Sequence, residues 1–210
     1  MSDPLPLFPL PNVVLFPNVF LPLHVFETRY REMVADALRG DRLIGMVLLR
    51  PGWEHQYEGR PAVFPVGCVG VITHVEHMDD GRYNIVLRGV ERFRILAEDH
   101  SRPYRSATIE VLPEPPLGTE DRARLARYRN RLEQLLAPAV EKAGADPRMT
   151  AGMSDEDLVN ALAQHLDLEP LERQALLEQN CLRSRAGSLV ELLEMKILVA
   201  CNPGVSHIAH

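Results

Sequence analysis

The chain has 210 residues, of which 46% are hydrophobic and 25% charged, and its formal net charge is −6. This is an ordinary globular composition, long enough to bury a sizeable core in one large domain or two small ones. The acidic balance argues against general polyanion binding, because non-specific nucleic-acid affinity comes from neutralised phosphates. Cys68, Cys181 and Cys201 are far apart and odd in number, which gives neither a disulfide framework nor a zinc-ligand spacing.

The amino terminus, MSDPLPLFPLP, lacks the basic leader of a signal peptide. No uninterrupted apolar stretch approaches the ~20 residues a membrane helix needs. A reducing, cytoplasmic compartment with no membrane association is therefore expected.

Pro6, Pro9, Pro11, Pro17 and Pro22 break the first apolar run into short extended pieces. Proline lacks a backbone N–H and biases its predecessor towards extended geometry, so edge strands joined by bends are predicted. From Phe26 the spacing becomes helical, through Tyr30, Met33, Val34, Ala37 and Leu38. Gly40 is placed for a left-handed cap. Arg42–Arg50 is a compact apolar run, predicted as a strand buried on both faces. A loop follows from Pro51 to Pro65 and carries Trp53, Tyr57 and Phe64. Val66–Met78 is predicted as a strand with Val69, Val71, Thr73 and Val75 on one face. A hairpin turn follows at Asp79-Asp80-Gly81-Arg82. Tyr83–Leu87, Arg92–Ala97 and Ala107–Leu112 continue a run of short strands, which suggests a barrel or sandwich. Gly67, Gly70, Gly81 and Gly89 mark expected turns or close backbone approaches, and Phe26, Tyr30 and Phe93 are expected in the core.

Pro113–Gly118 reads as a linker. Thr119 then caps a helix bearing Leu125, Tyr128, Leu132, Leu135 and Leu136, which Pro138 kinks or ends. Ala143–Gly152 is a second loop. Ser154–Asp157 has the form of a capping box ahead of a third helix, and Pro170 opens a fourth. The last helix is predicted from Gly187 or Ser188 to about Cys201. It is apolar nearly all round and therefore expected to be well buried.

The blocks LPNVVLFP, LPLHVFETRY at 21–30, Gly67–Gly70, DGRYNIVLRG at 80–89 and Arg92–Ile95 resemble the amino-terminal domain of Lon proteases. The helical pattern around Ser154–Asp157 and Leu168–Glu178 continues the resemblance to about residue 200. The resemblance implies an α+β fold. A PUA-like β-barrel with one packed helix would span residues 1–116, an α-helical bundle 117–203 and a loose tail 204–210.

Chemistry is sparse. A phosphate-binding loop needs a Gly-Lys pair, and none occurs. Lys142 and Lys196 are the only lysines, and neither lies beside a serine-bearing motif that would make a proteolytic dyad. His74 and His77 point to opposite faces of a strand, and His74 with Glu76 supplies only two ligands, so no metal is expected. The expected protein is not an enzyme and takes no cofactor. The family resemblance implies a polypeptide-binding module for unfolded or degron-bearing chains, an adaptor or modulator working with a protease or ATPase partner. Trp53, Tyr57 and Phe64 are the candidate peptide-binding residues. The alternative is PUA-like RNA or DNA binding through Arg124, Arg127 and Arg131, which fall on one side of the second helix. Dilution by Glu120, Asp121, Glu133 and Glu141 makes that face a solvated flank first, and nucleic acid the less favoured partner.

Overall fold

The computed structural model describes residues 4–56, 59–142 and 152–201. Tyr57, most of the loop expected at 143–152 and the tail at 204–210 lie outside the described residues. The chain divides into two compact units, Met1–Pro113 with Asn160–Glu178, and Glu114–Val159 with Gln179–His210.

The first unit is built on six strands: β1 (Leu5–Leu10), β2 (Phe20–Val25), β3 (Leu43–Leu48), β4 (Val66–His77), β5 (Tyr83–Asp99) and β6 (Arg105–Leu112). Their order is β2-β5-β4-β3-β1-β6, and β5 also pairs with β6. Strands β5, β4, β3, β1 and β6 therefore form a closed ring, with β2 added outside it. Closure depends on the 17-residue length of β5. Its first half takes β2 and its second half takes β6, while β4 runs along both. The two strands expected on either side of Gly89 are thus one bent strand. At the bend, Gly70 pairs with Gly89 and Val69 with Glu91, so Val90 bulges out. A Cβ on Gly89 would lie 2.0 Å from the Phe16 carbonyl oxygen, so only glycine fits there. Gly81 takes φ +80° in the β4–β5 turn.

β1 differs from the edge strand its prolines suggest. It pairs in parallel with β3 over Leu7–Leu10 and antiparallel with β6 over Leu5–Leu7. Each partner covers only half of β1, so Pro6 and Pro9 each have one side with no neighbour to bond. β2, with Pro22, is the true edge. The simple alternation predicted for β4 also fails, because a register shift between Ile72 and His74 leaves Thr73 unpaired with β5. Val69 is buried because the first half of β4 is covered on both faces over Val66–Gly70, and Ile72 is buried as well.

Leu5, Leu7, Val47, Val69, Phe93 and Ala107 form the centre of the ring. Helix α1 (Thr28–Arg39) buries Tyr30, Met33, Val34 and Ala37. Phe26 is 60% exposed rather than in the core. It lies two residues before α1, where helical spacing no longer sets its direction, and its ring lies beside that of His24. Gly40 closes α1 at φ −110°, without the left-handed geometry expected; the left-handed residue is Arg42, at φ 61°.

The segment Asn160–Glu178 packs with the first unit through buried polar anchors. Asn160 donates to the Pro17 carbonyl at 3.1 Å and Gln174 to the Val66 carbonyl at 2.9 Å. Arg92, 4% exposed, donates to the Leu177 carbonyl at 3.1 Å. It contains the end of α3 (Asp155–His165) and α4 (Pro170–Leu177). These polar side chains interrupt an otherwise apolar pattern, and the backbone groups they satisfy are far away in sequence.

In the second unit, α2 (Thr119–Lys142) buries Leu125 and Leu132 and runs through Pro138. α5 (Leu182–Cys201) begins earlier than expected and buries Ala186, Leu189, Val190 and Leu193. Gly187 lies within α5, where a Cβ would meet the Tyr128 ring at 3.2 Å. The expectation of a buried last helix holds only for its first half: Met195, Ile197, Leu198 and Val199 are exposed. Arg185 is fully buried and pairs with Glu114 at 3.2 Å.

Candidate functional site

A cavity of about 270 Å3 opens on the first unit. Four separate pieces of chain form it: Pro9 from β1, Arg29 and Tyr30 from the first turn of α1, Leu49 with Gly59–Pro61 after β3, and Pro103–Arg105 leading into β6. The parallel pairing of β1 with β3 and the antiparallel pairing of β1 with β6 bring these pieces together.

Its walls combine rings, prolines and three arginines. The Arg29 guanidinium lies 4.7 Å from the centroid of the Tyr30 ring, and its Nε donates to Glu27 at 3.0 Å. Arg105 is held by both oxygens of Glu98, at 3.0 and 3.2 Å, and donates to the Pro61 carbonyl at 2.6 Å. Tyr104 donates its hydroxyl to Asp36 at 2.6 Å, and Arg102 bonds both of them. The Tyr104 hydrogen bond, helped by Arg39 and Arg102, holds the Asp36 carboxyl below the usual range against the opposing effect of burial. Burial, then the Asp36 contact, pushes the Tyr104 phenol up to about 12.

Arg60 is bonded differently. Its partners are the carbonyls of Asp99 at 3.5 Å and Arg102 at 3.3 Å, together with His100 Nδ1. The Asp99 carboxylate is turned to Ser101, accepting from its amide at 3.0 Å and its hydroxyl at 2.7 Å, and those bonds lower its pKa. Among the described residues, no carboxylate pairs with Arg60.

Trp53 lies half-buried in a single 3-10 turn, Trp53–Gln56. Phe64 is half-buried, with the Arg50 guanidinium 5.5 Å from its ring centroid. Neither ring lines the cavity, although their loop supplies Gly59–Pro61. On the second unit, Arg124 and Arg127 are exposed and, with Tyr128, line an open cavity of about 390 Å3. Arg131 is drawn away by Glu194, to which it donates at 2.7 Å.

Arg29, Arg60, Tyr104 and Arg105 were not singled out from the sequence. They are spread over more than 70 positions with no spacing that repeats, and only the strand pairings gather them.

Two features bear on the remaining expectations. Among the described residues, no group of three or more His, Cys, Asp or Glu side chains could hold a metal ion. No described helix is long and apolar enough to cross a membrane.

Residues 4–195 match the model of the ATP-dependent protease La (LON) substrate-binding domain. Among curated relatives, Lon protease 2 of Syntrophobacter fumaroxidans is 30% identical over 180 residues, covering 85% of this chain and 22% of that protein. Lon protease 2 of Myxococcus xanthus is 27% identical over 91% of this chain and 24% of that protein. The chain thus spans about a quarter of the length of these relatives. Among solved structures, the N-terminal domain of Mycobacterium avium complex Lon protease superposes with a TM-score of 0.71 at 17% identity, covering 91% of this chain and 98% of that one. The Lon N-terminal domain protein from Xanthomonas campestris gives 0.61 at 23% identity, covering 90% and 98%. At these identities the two structures bear on the fold, which they place in the α+β class expected.

Proposed function

The chain belongs to the ATP-dependent protease La (LON) substrate-binding domain family, and from that premise we propose that it is a non-catalytic module that binds polypeptide. The observation that supports this reading is the cavity beside α1. Its arginines, tyrosines and prolines offer charge, flat apolar surface and little backbone competition, the mixture that anchors a chain segment. Phe26, exposed three residues before Arg29 in the chain, is a further apolar side chain open to a partner. The original candidates Trp53, Tyr57 and Phe64 remain proposed contacts on the same loop as Arg60. In this reading the protein acts in the cytoplasm as an adaptor or modulator, delivering unfolded or degron-bearing chains to an ATP-dependent protease partner.

The test is a titration with a permanently unfolded polypeptide, read by anisotropy of the labelled chain and by Trp53 fluorescence. Saturable binding that weakens in Arg60→Glu is expected. No saturable binding up to the solubility limit overturns the reading.

One observation favours a second reading. Arg124 and Arg127 line an open cavity together with Tyr128, and cations beside an aromatic ring are the side chains that single-stranded nucleic acid engages. Salt-sensitive binding of RNA, lost when Arg124, Arg127 and Arg131 are all changed to glutamate, would support it. Unchanged affinity in that variant removes this face.

A further inference from the structure

We infer that the cavity beside α1 receives the free carboxylate end of a polypeptide, with Arg60 as the cation that meets it. This rests on the polypeptide-binding reading and specifies which part of the chain is read.

Charge balance carries the first half of the inference. Arg29 has Glu27 and Arg105 has Glu98 as carboxylate partners. Among the described residues, the partners of Arg60 are two carbonyls and the His100 Nδ1, with no carboxylate. Its five N–H groups outnumber those acceptors, and a planar guanidinium is matched to a carboxylate. Among the described residues, Arg60 is thus the one cation lining the cavity without a carboxylate partner. That suits a monoanion. A phosphate backbone would need several unneutralised cations and would meet Glu27 and Glu98 as repulsion.

The walls carry the second half. Pro9, Pro61 and Pro103 have no backbone N–H, and Leu49 and the Tyr30 ring add apolar surface. The Tyr104 hydroxyl is already committed to Asp36. An internal peptide segment pushed into such a space would leave its carbonyls and amides unpaired. A chain end brings far fewer such groups, and its one charged group is met by Arg60. At about 270 Å3 the space falls below the ~300–1,000 Å3 of drug-sized sites and fits a terminal residue better than a strand.

The experiment compares two labelled unstructured peptides with the same apolar sequence, one ending in a free carboxylate and one in a carboxamide. Anisotropy is read against the full-length protein and against Arg60→Gln. Arg60 is exposed and its partners are two backbone carbonyls and a ring nitrogen, so the variant is expected to fold, which circular dichroism checks. The acid is expected to bind about tenfold more tightly than the amide, the scale of a charge-assisted hydrogen bond. Arg60→Gln is expected to lower the acid to the amide's affinity and leave the amide unchanged. Equal binding of acid and amide to the unaltered protein overturns the terminal-carboxylate inference and leaves polypeptide binding standing. Displacement of the peptide by acetate as readily as by the peptide acid also overturns it, because a small carboxylate is then sufficient. Failure of both peptides and of a permanently unfolded protein to bind overturns the polypeptide reading itself.

Discussion

The Tyr104 hydroxyl donates to Asp36 Oδ2 at 2.6 Å across 68 positions of sequence, tying the entrance of β6 to the middle of α1. The pair is one wall's support for the cavity, and its protonation is linked to folding. Asp36 has a lowered folded pKa, so its contribution is present above the unfolded value near 3.8 and is lost as pH falls through the folded value. Tyr104 is raised to about 12, so its contribution is full below the unfolded value of 10.0 and is lost as pH rises towards 12. Tyr104→Phe is expected to cost ~1–2 kcal/mol at neutral pH. It should also flatten the alkaline loss of stability between pH 10 and 12, and move Asp36 back towards 3.8. Denaturant unfolding across pH, with the carboxyl titration followed by NMR, checks all three.

Phe93 and Phe26 separate two kinds of aromatic position. Phe93 is fully buried in the ring's centre, so Phe93→Ala should cost ~3–5 kcal/mol. Phe26 is 60% exposed, and Phe26→Ala should stay within ~0.5 kcal/mol while weakening polypeptide binding. Equilibrium unfolding reads the first and anisotropy the second. A large stability loss in Phe26→Ala would contradict its exposed placement.

Gly89→Ala forces a Cβ to within 2.0 Å of the Phe16 carbonyl oxygen, backbone against side chain with no rotamer to escape through. A loss of about 1–3 kcal/mol or more is expected. At Gly152, where nothing lies within 4 Å, alanine should be nearly neutral. Comparing the two denaturation midpoints tests whether the bend in β5 needs its glycine.

Glu114→Ala leaves Arg185 fully buried without the carboxylate 3.2 Å away. Breaking a buried pair on one side costs about 3–5 kcal/mol, whereas replacing both partners with apolar residues is often neutral. Glu114→Ala should therefore unfold at much lower denaturant than Glu114→Leu combined with Arg185→Met. If the two variants prove equally unstable, the loss comes from the Leu182 amide's bond to Glu114, which both remove, and from packing of the Arg185 side chain, rather than from an orphaned charge.

Local order was legible in the sequence. The helical stripe Tyr30–Met33–Val34–Ala37, the turn at Gly81 and the hydroxyl of Ser154 bonding the Asp157 amide all follow from spacing and residue chemistry within a few positions. The family was legible too, because its blocks are contiguous runs. What misled were features whose meaning depends on partners. Prolines marked β1 as an edge, yet each of its neighbours covers only half of it. The apolar girth of α5 suggested burial, yet beyond Leu193 most of its apolar side chains stay exposed. The asparagine, glutamine and arginine that bind Asn160–Glu178 into the first unit look like ordinary surface residues when read alone.

The sequence by itself determined most element types, the buried stripe of α1 and the family, since helix and strand patterns repeat over two to four residues and need no distant information. The tertiary structure alone decided the cavity. Arg29, Arg60, Tyr104 and Arg105 become neighbours only when β1 pairs with both β3 and β6. Which of the cavity's arginines has a carboxylate partner among the described residues likewise depends on where Glu27, Glu98 and Asp99 turn their carboxylates. That choice depends on distances of a few ångströms between chain segments dozens of residues apart, and no local spacing encodes it.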